Sequence, residues 1–286
     1  MAVYKRSYRG YSGAYTPEWS RFLILSRYAS QGLFRSRFLL GFYVVCFFPF
    51  LVTAALIYLN HSTSLLALVK VPGDALVTIN NHFFRNYLSV QVSFAFILTA
   101  FVGPGLISPD LANNGLILYL CRPFTRTEYV AGKLMVLARL LSLITWVPGL
   151  TLFGIESSLS GAGWMWNNLF IAGAIFAGSW ILIAVLSLLA LALSAWVKWK
   201  PVAGALVLGV MFLGAGFGAA INAVMRTELG HLINLPVLFS TVWDSLFRIE
   251  PKVDFPPNLA WLALTAIAAG CLYLLSRRLR AFEVVR

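Results

Sequence analysis

The sequence predicts an all-α polytopic membrane protein with six transmembrane helices, and three observations carry that prediction. Hydrophobic residues fill 60% of the 286 positions and charged residues only 11%, whereas a soluble domain needs about 25% charged residues to solvate its surface. Apolar runs of about 20 residues recur, the length of helix that crosses a ~30 Å hydrocarbon core. The basic residues fall mainly in alternate connections between those runs. A β-barrel would instead alternate polarity in segments of about 10 residues, and the sequence shows no such pattern.

The spans run from Leu39 to Leu59, Val90 to Ile107, Lys133 to Phe153, Asn168 to Trp196, Val202 to Val224 and Leu259 to Ser276. Of the 22 Lys and Arg residues, 17 belong to one side: the amino-terminal segment, the connection after span two, the turn after span four, the tail, and Arg139, which snorkels to that face. The other 5, Lys70, Arg85, Arg226, Arg248 and Lys252, are assigned to the opposite loops. The positive-inside rule then places both termini in the cytoplasm. The net charge of +12 is chiefly this topology signal, with attraction to anionic lipid second. No nucleic-acid partner is expected. The chain divides into a cytoplasmic amino-terminal segment (1–38), a six-helix transmembrane domain (39–276) and a cytoplasmic tail (277–286).

Residues 1–15 read as disordered. Thr16-Pro17-Glu18 then reads as a helix start, with Thr16 as N-cap and Pro17 at the first helical position. Trp19, Phe22, Leu23, Ala29 and Leu33 gather near one face and Arg21, Arg27 and Arg35 elsewhere, the pattern of a helix lying in the membrane interface. The long connection before span six is apolar enough to fold back against the membrane. Span five carries a Gly214/Gly218 pair and span four an Ala174/Gly178 pair. Such small residues suit either tight packing within the subunit or a seam between subunits. Pro49 and Pro148 should kink spans one and three.

Several chemistries are excluded. His61, His82 and His231 all fall on the outer side, so none can ligate an in-membrane haem or metal. No Asp or Glu lies centrally in any span, which removes the usual carrier for a proton or sodium relay. Cys46, Cys121 and Cys271 lack metal-site spacing and read as small buried hydrophobes. The one Gly-Lys pair, Gly132-Lys133, is followed by Leu134 and is not a phosphate-binding loop. No catalytic, metal or cofactor residues are assigned, and any energy source must be a partner.

The polar stretch from Gly103 to Lys133 is the candidate functional element. Ser108-Pro109-Asp110 reads as a helix start with Ser108 as N-cap. Leu111, Gly115, Leu116, Leu118 and Leu120 then face the membrane, and Asn113, Asn114 and Tyr119 are more exposed. Arg122-Pro123 ends that short helix, and Thr125-x-x-Glu128 is a capping box that opens span three. Arg126, Tyr129 and Lys133 gather at its start.

The pattern Gly115 to Leu120, Arg122-Pro123, Arg126, Tyr129 and Gly132-Lys133, following a small-residue turn and an acid after span two, resembles the permease subunits of ABC-2 type transporters. The resemblance covers about 30 residues in motif and the whole chain in topology. It implies a bacterial cytoplasmic (inner) membrane protein that works as an exporter. The element would be a coupling helix docked on a separate nucleotide-binding subunit, which binds ATP and Mg. Asp110, Asn113, Asn114, Arg122, Arg126 and Glu128 would be the ATPase contacts, with Tyr129 and Lys133 anchoring the hinge. A second permease subunit, identical or related, would complete the pathway. Phe94, Phe96, Phe101, Phe212 and Phe217 would line it. The same architecture also suits a membrane subunit that moves an extracytoplasmic partner without transporting a solute.

Overall fold

The computed structural model describes residues 17, 20–62, 78–113, 115, 125–251, 253 and 255–278. The expectations for residues 1–15, Thr16, Trp19, Asn114, Leu116 to Pro123, and the tail beyond 278 therefore lie outside the described residues. No strand occurs among the described residues, and six helical segments are long and apolar enough to cross a bilayer. The protein is a multi-pass, all-α membrane protein. An initial helix, α1 (Arg21–Phe34), precedes span one, which is built from α2 (Arg37–Cys46) and α3 (Phe48–His61). Span two joins α4 (Asn81–Val102) to α5 (Pro104–Ala112), and span three joins α6 (Arg126–Ile144) to α7 (Trp146–Ser160). A short α8 (Ala162–Asn167) leads into span four, α9 (Leu169–Trp196); span five is α10 (Lys200–Met225). A 3₁₀ turn at Leu229–Leu232 and α11 (Leu235–Leu246) precede span six, α12 (Pro257–Arg278).

Span four is the hub, packing against spans two, three, five and six and against α11. Its mid-section is buried on nearly every side, from Leu182 and Ile183 through Leu191 and Ala192, as expected of a helix that is apolar all round. Spans one, five and six bury far less and present Leu51, Phe212, Phe217 and Leu262 outward, which suits lipid-facing helices.

Both expected kinks occur, and each has a polar consequence. Span one breaks at Phe47, with Pro49 in the first turn of α3. Span three breaks at Thr145 (φ −107°, ψ −89°), ahead of Pro148. Pro148 has no N–H for the Ile144 carbonyl, which would otherwise be orphaned inside the bundle. Gln91, fully buried on span two, supplies the missing donor. Its side-chain amide donates to Ile144 O at 2.8 Å and to Cys46 O, beside the other break, at 3.2 Å. One side chain thus ties three spans together at their two weakest points.

Two expectations are corrected at the far end of the bundle. Span two begins at Asn81, not Val90, so Arg85 belongs to a helix and not to a loop. It is buried because Asp244 of α11 neutralises it: Arg85 Nε donates to Asp244 Oδ1 at 2.6 Å and the adjacent nitrogen to Oδ2 at 3.3 Å. The connection before span six is not merely laid on the bundle. Leu238, Phe239, Val242 and Trp243 of α11 are buried within it. Trp243 Nε1 donates to Gly178 O at 3.1 Å, and Asn81 Nδ2 to Phe247 O at 2.8 Å.

The small residues of spans four and five make room for this segment. A Cβ on Gly178 would lie 2.8 Å from the Trp243 ring, and one on Gly218 would lie 2.5 Å from Gly230 O. Gly178, Gly214 and Gly218 therefore seat the connection within this chain. Asp244→Leu is expected to cost about 3–5 kcal/mol of stability, since it leaves Arg85 buried without its counter-ion. The double variant Arg85→Leu/Asp244→Leu should recover most of that loss, and thermal unfolding in detergent measures both.

Candidate functional site

Helix ends from four spans converge at the other end of the bundle, which we call the basic end. Span two reaches it through α5, and here the expected helix start is corrected. Ser108 is not an N-cap: the helix begins at Pro104 and Pro109 lies inside it. A proline there cannot donate to the carbonyl one turn back and crowds it, so the ladder opens. Ser194 of span four enters beside this break. Its hydroxyl accepts from Ser108 N at 3.0 Å and donates to Pro104 O at 3.1 Å, standing in for one turn of backbone bonding. The Ser108 hydroxyl in turn reaches Ser194 O at 2.9 Å and Val197 O at 2.7 Å. The last turn of span two is clasped to the last turn of span four.

Two residues on, Asp110 binds span three. Its Oδ2 lies 2.8 Å from Lys133 Nζ and accepts from the Tyr129 hydroxyl at 2.7 Å. Tyr129 and Lys133 stand four residues apart on one face of α6, as helical geometry requires for two side chains to meet one target. Both are buried, and the ammonium sits 5.4 Å from the centre of the Tyr129 ring. A carboxylate shared by a phenol and an ammonium makes charge-assisted bonds, which are about twice as strong as neutral ones. Asp110, Tyr129 and Lys133 are therefore a joint within the chain, connecting the end of span two to the start of span three.

The start of span three is capped as its sequence requires. Thr125 N donates to Glu128 Oε2 at 2.6 Å, and Glu128 N donates to Thr125 Oγ1 at 3.2 Å. Both orphan donors are satisfied reciprocally, so Glu128 is engaged at the cap. Arg126 is exposed and lines a groove of about 390 Å³ with Val130, Leu134, Leu272, Leu275 and Ser276, between spans three and six. Asn113 is exposed and ends α5. Asn114 and Arg122 lie outside the described residues.

The five aromatics are distributed. Phe96 is fully buried, edge-on to Phe239 of α11, and Phe94 is half-buried. Phe101 is exposed beside Phe38 and Phe42 of span one, while Phe212 and Phe217 project outward from span five. The far end also holds a polar contact that sequence reasoning missed. His61 Nε2 lies 3.1 Å from Oε2 of the buried Glu156, and Ser160 donates to Oε1 at 2.6 Å. Among the described residues no three His, Cys, Asp or Glu side chains group closely enough to hold a metal.

Sequence reasoning also missed Ser194, Arg85 and Asp244. The legible signals were a proline inside a helical register, which calls for a polar neighbour, and single charges within apolar helices, which call for partners. No protein-family model matches the chain, and no curated protein matches it in sequence. The joint can be tested by a double-mutant cycle. Asp110→Asn is expected to cost about 1.5–3 kcal/mol, the range for bonds to a charged group. Tyr129→Phe added to it should cost clearly less than Tyr129→Phe alone, a coupling of about 1 kcal/mol in unfolding measurements.

Proposed function

We propose that this chain is the transmembrane subunit of an ABC-2 type, ATP-driven exporter. In this reading the element from Gly103 to Lys133, between spans two and three, carries the coupling helix, on the cytoplasmic face of a bacterial inner membrane, docked on a separate nucleotide-binding subunit. That partner holds ATP and Mg; this chain is non-catalytic. A second permease subunit completes the pathway.

The observation that carries the reading is the Asp110–Tyr129–Lys133 joint. Residues 114–124 leave from Asp110's helix and return into the helix of Tyr129 and Lys133, so both ends of the segment are fastened to each other. A push on it is delivered to spans two and three together, and through the Ser108–Ser194 clasp to span four. ATP-driven closure of the partner would thereby tilt three spans at once. The resemblance at Arg122-Pro123, Arg126, Tyr129 and Gly132-Lys133 supplies the identity of the partner.

A second reading has its own support. Arg85 and Asp244 fasten α11 to span two, so the same tilt would reach the outer segment and could act on an extracytoplasmic protein without moving a solute.

The test is co-purification with a soluble Walker A protein encoded beside this chain, followed by its ATPase rate. Arg122→Glu/Arg126→Glu is expected to weaken assembly at least about tenfold, as charge reversal at an interface does. Unchanged assembly and unchanged ATPase rate would remove the docking assignment. ATPase activity that responds to a soluble outer protein, with no solute moved, would select the second reading.

A further inference from the structure

A cleft of about 580 Å³ opens between α1 and span three, lined by Arg27, Ser30, Gln31, Phe34, Arg35 and Arg139. The four residues on α1 and its C-cap Arg35 fall at i, i+3, i+4, i+7 and i+8, a single helical stripe. That stripe faces Arg139 because α1 lies along the first half of α6. Phe22 and Leu25 rest against Gly132, with Leu25, Ala29 and Leu33 packed toward the core. The packing buries one apolar face of α1 on protein, while Leu23 and Ile24 stay exposed.

The cleft's chemistry is one-sided. Three guanidiniums from two elements converge on one space, each with five N–H donors and no acceptor. Among the described residues no carboxylate lies within salt-bridge distance of Arg27, Arg35 or Arg139. Ser30 is buried, and its hydroxyl already donates to Arg27 O at 2.9 Å. Like charges held together repel, so an anion placed between them would be favoured. Its height is fixed by the chain: Arg35 is followed directly by Ser36, which caps the first turn of span one. The cleft therefore lies where a membrane-crossing helix begins, at headgroup level, with the exposed Phe34 at its wall.

We propose that this cleft binds the phosphate of an anionic phospholipid headgroup, the guanidiniums gripping its oxygens and Phe34 meeting the glycerol and upper acyl chain. Guanidinium forks match phosphate geometry bidentately, and basic pockets beside membrane helices suit such headgroups. A lipid bound here would bridge α1 to span three. The site is independent of any ATPase partner and stands or falls apart from the proposal above.

The experiment is a titration of the purified full-length chain in neutral detergent with short-chain phosphatidylglycerol, followed by native mass spectrometry. Short-chain phosphatidylcholine and inorganic phosphate are the parallel arms. Phosphatidylglycerol is expected to bind wild type at least about tenfold more tightly than Arg27→Gln/Arg139→Gln, since each basic residue near a membrane surface contributes roughly a factor of five. Lys198→Gln/Lys200→Gln removes the same charge from another exposed site at this end and should leave binding within about twofold. Equal loss in both double variants, or none in the arginine variant, overturns the site. Arginine-dependent binding of inorganic phosphate without preference for the lipid overturns the lipid as its source. Should the arginine variant unfold, Arg27→Lys/Arg139→Lys replaces it: retained charge should retain measurable but weaker binding, and full wild-type affinity would contradict bidentate capture.

Discussion

Hydrocarbon offers no hydrogen bonds, so a helix that breaks inside a bilayer exposes backbone groups that only the protein itself can satisfy. Much of this structure follows from how the chain meets that constraint at three prolines. Pro148 opens span three, and Gln91 of span two answers the freed carbonyl of Ile144. The break beside Pro49 in span one is reached by the same amide through Cys46 O. Pro109 opens the end of span two, and Ser194 of span four enters the gap. Each break is thereby converted from a defect in one helix into a bond between helices.

The same logic orders the two ends of the bundle. At the far end the buried charge of Arg85 is matched by Asp244, and the match fixes α11 within the bundle. Gly178 and Gly218 lack the side chains that would push this segment out. At the basic end Asp110 meets Tyr129 and Lys133. Span two carries a constraint at each end and one in the middle, through Arg85, Gln91 and Ser108 with Asp110. Span four receives bonds at Gly178 and Ser194. A helix held at both ends is suited to move as a unit, as the proposed coupling requires.

The fold was largely legible because hydropathy and length are properties of contiguous residues. All six spans were found, four of them within two positions at each end; span three extends seven residues further at both ends, and span two ends five residues later and starts nine earlier. Arg85 caused that difference: a lone charge reads as a loop until its partner, 159 positions away, is known. Capping is also local, and Thr125 and Glu128 form the box their spacing foretold. Ser108 misled for the same local reason. Ser-Pro-Asp resembles a helix start, and the hydroxyl of Ser194 that supports the mid-helix proline lies 86 positions away. The Gly214/Gly218 pair announced a close approach without naming what approaches, which proved to be the turn at Gly230. Partners distant in sequence were the illegible part.

In the proposed coupling, motion enters at the connection between spans two and three and leaves through the Asp110 joint into both spans. That coupling is tested most directly by spin labels at Thr127, on the exposed start of span three, and Trp199, exposed beside the start of span five. The labels are placed in a chain whose native cysteines are replaced, assembled with the proposed ATPase partner. Distance distributions from pulsed electron resonance should shift between the nucleotide-free and ATP-trapped complexes, and Asp110→Ala should abolish the shift while ATP hydrolysis continues. An unchanged distance on trapping ATP, or a shift that survives loss of Asp110, would contradict the account.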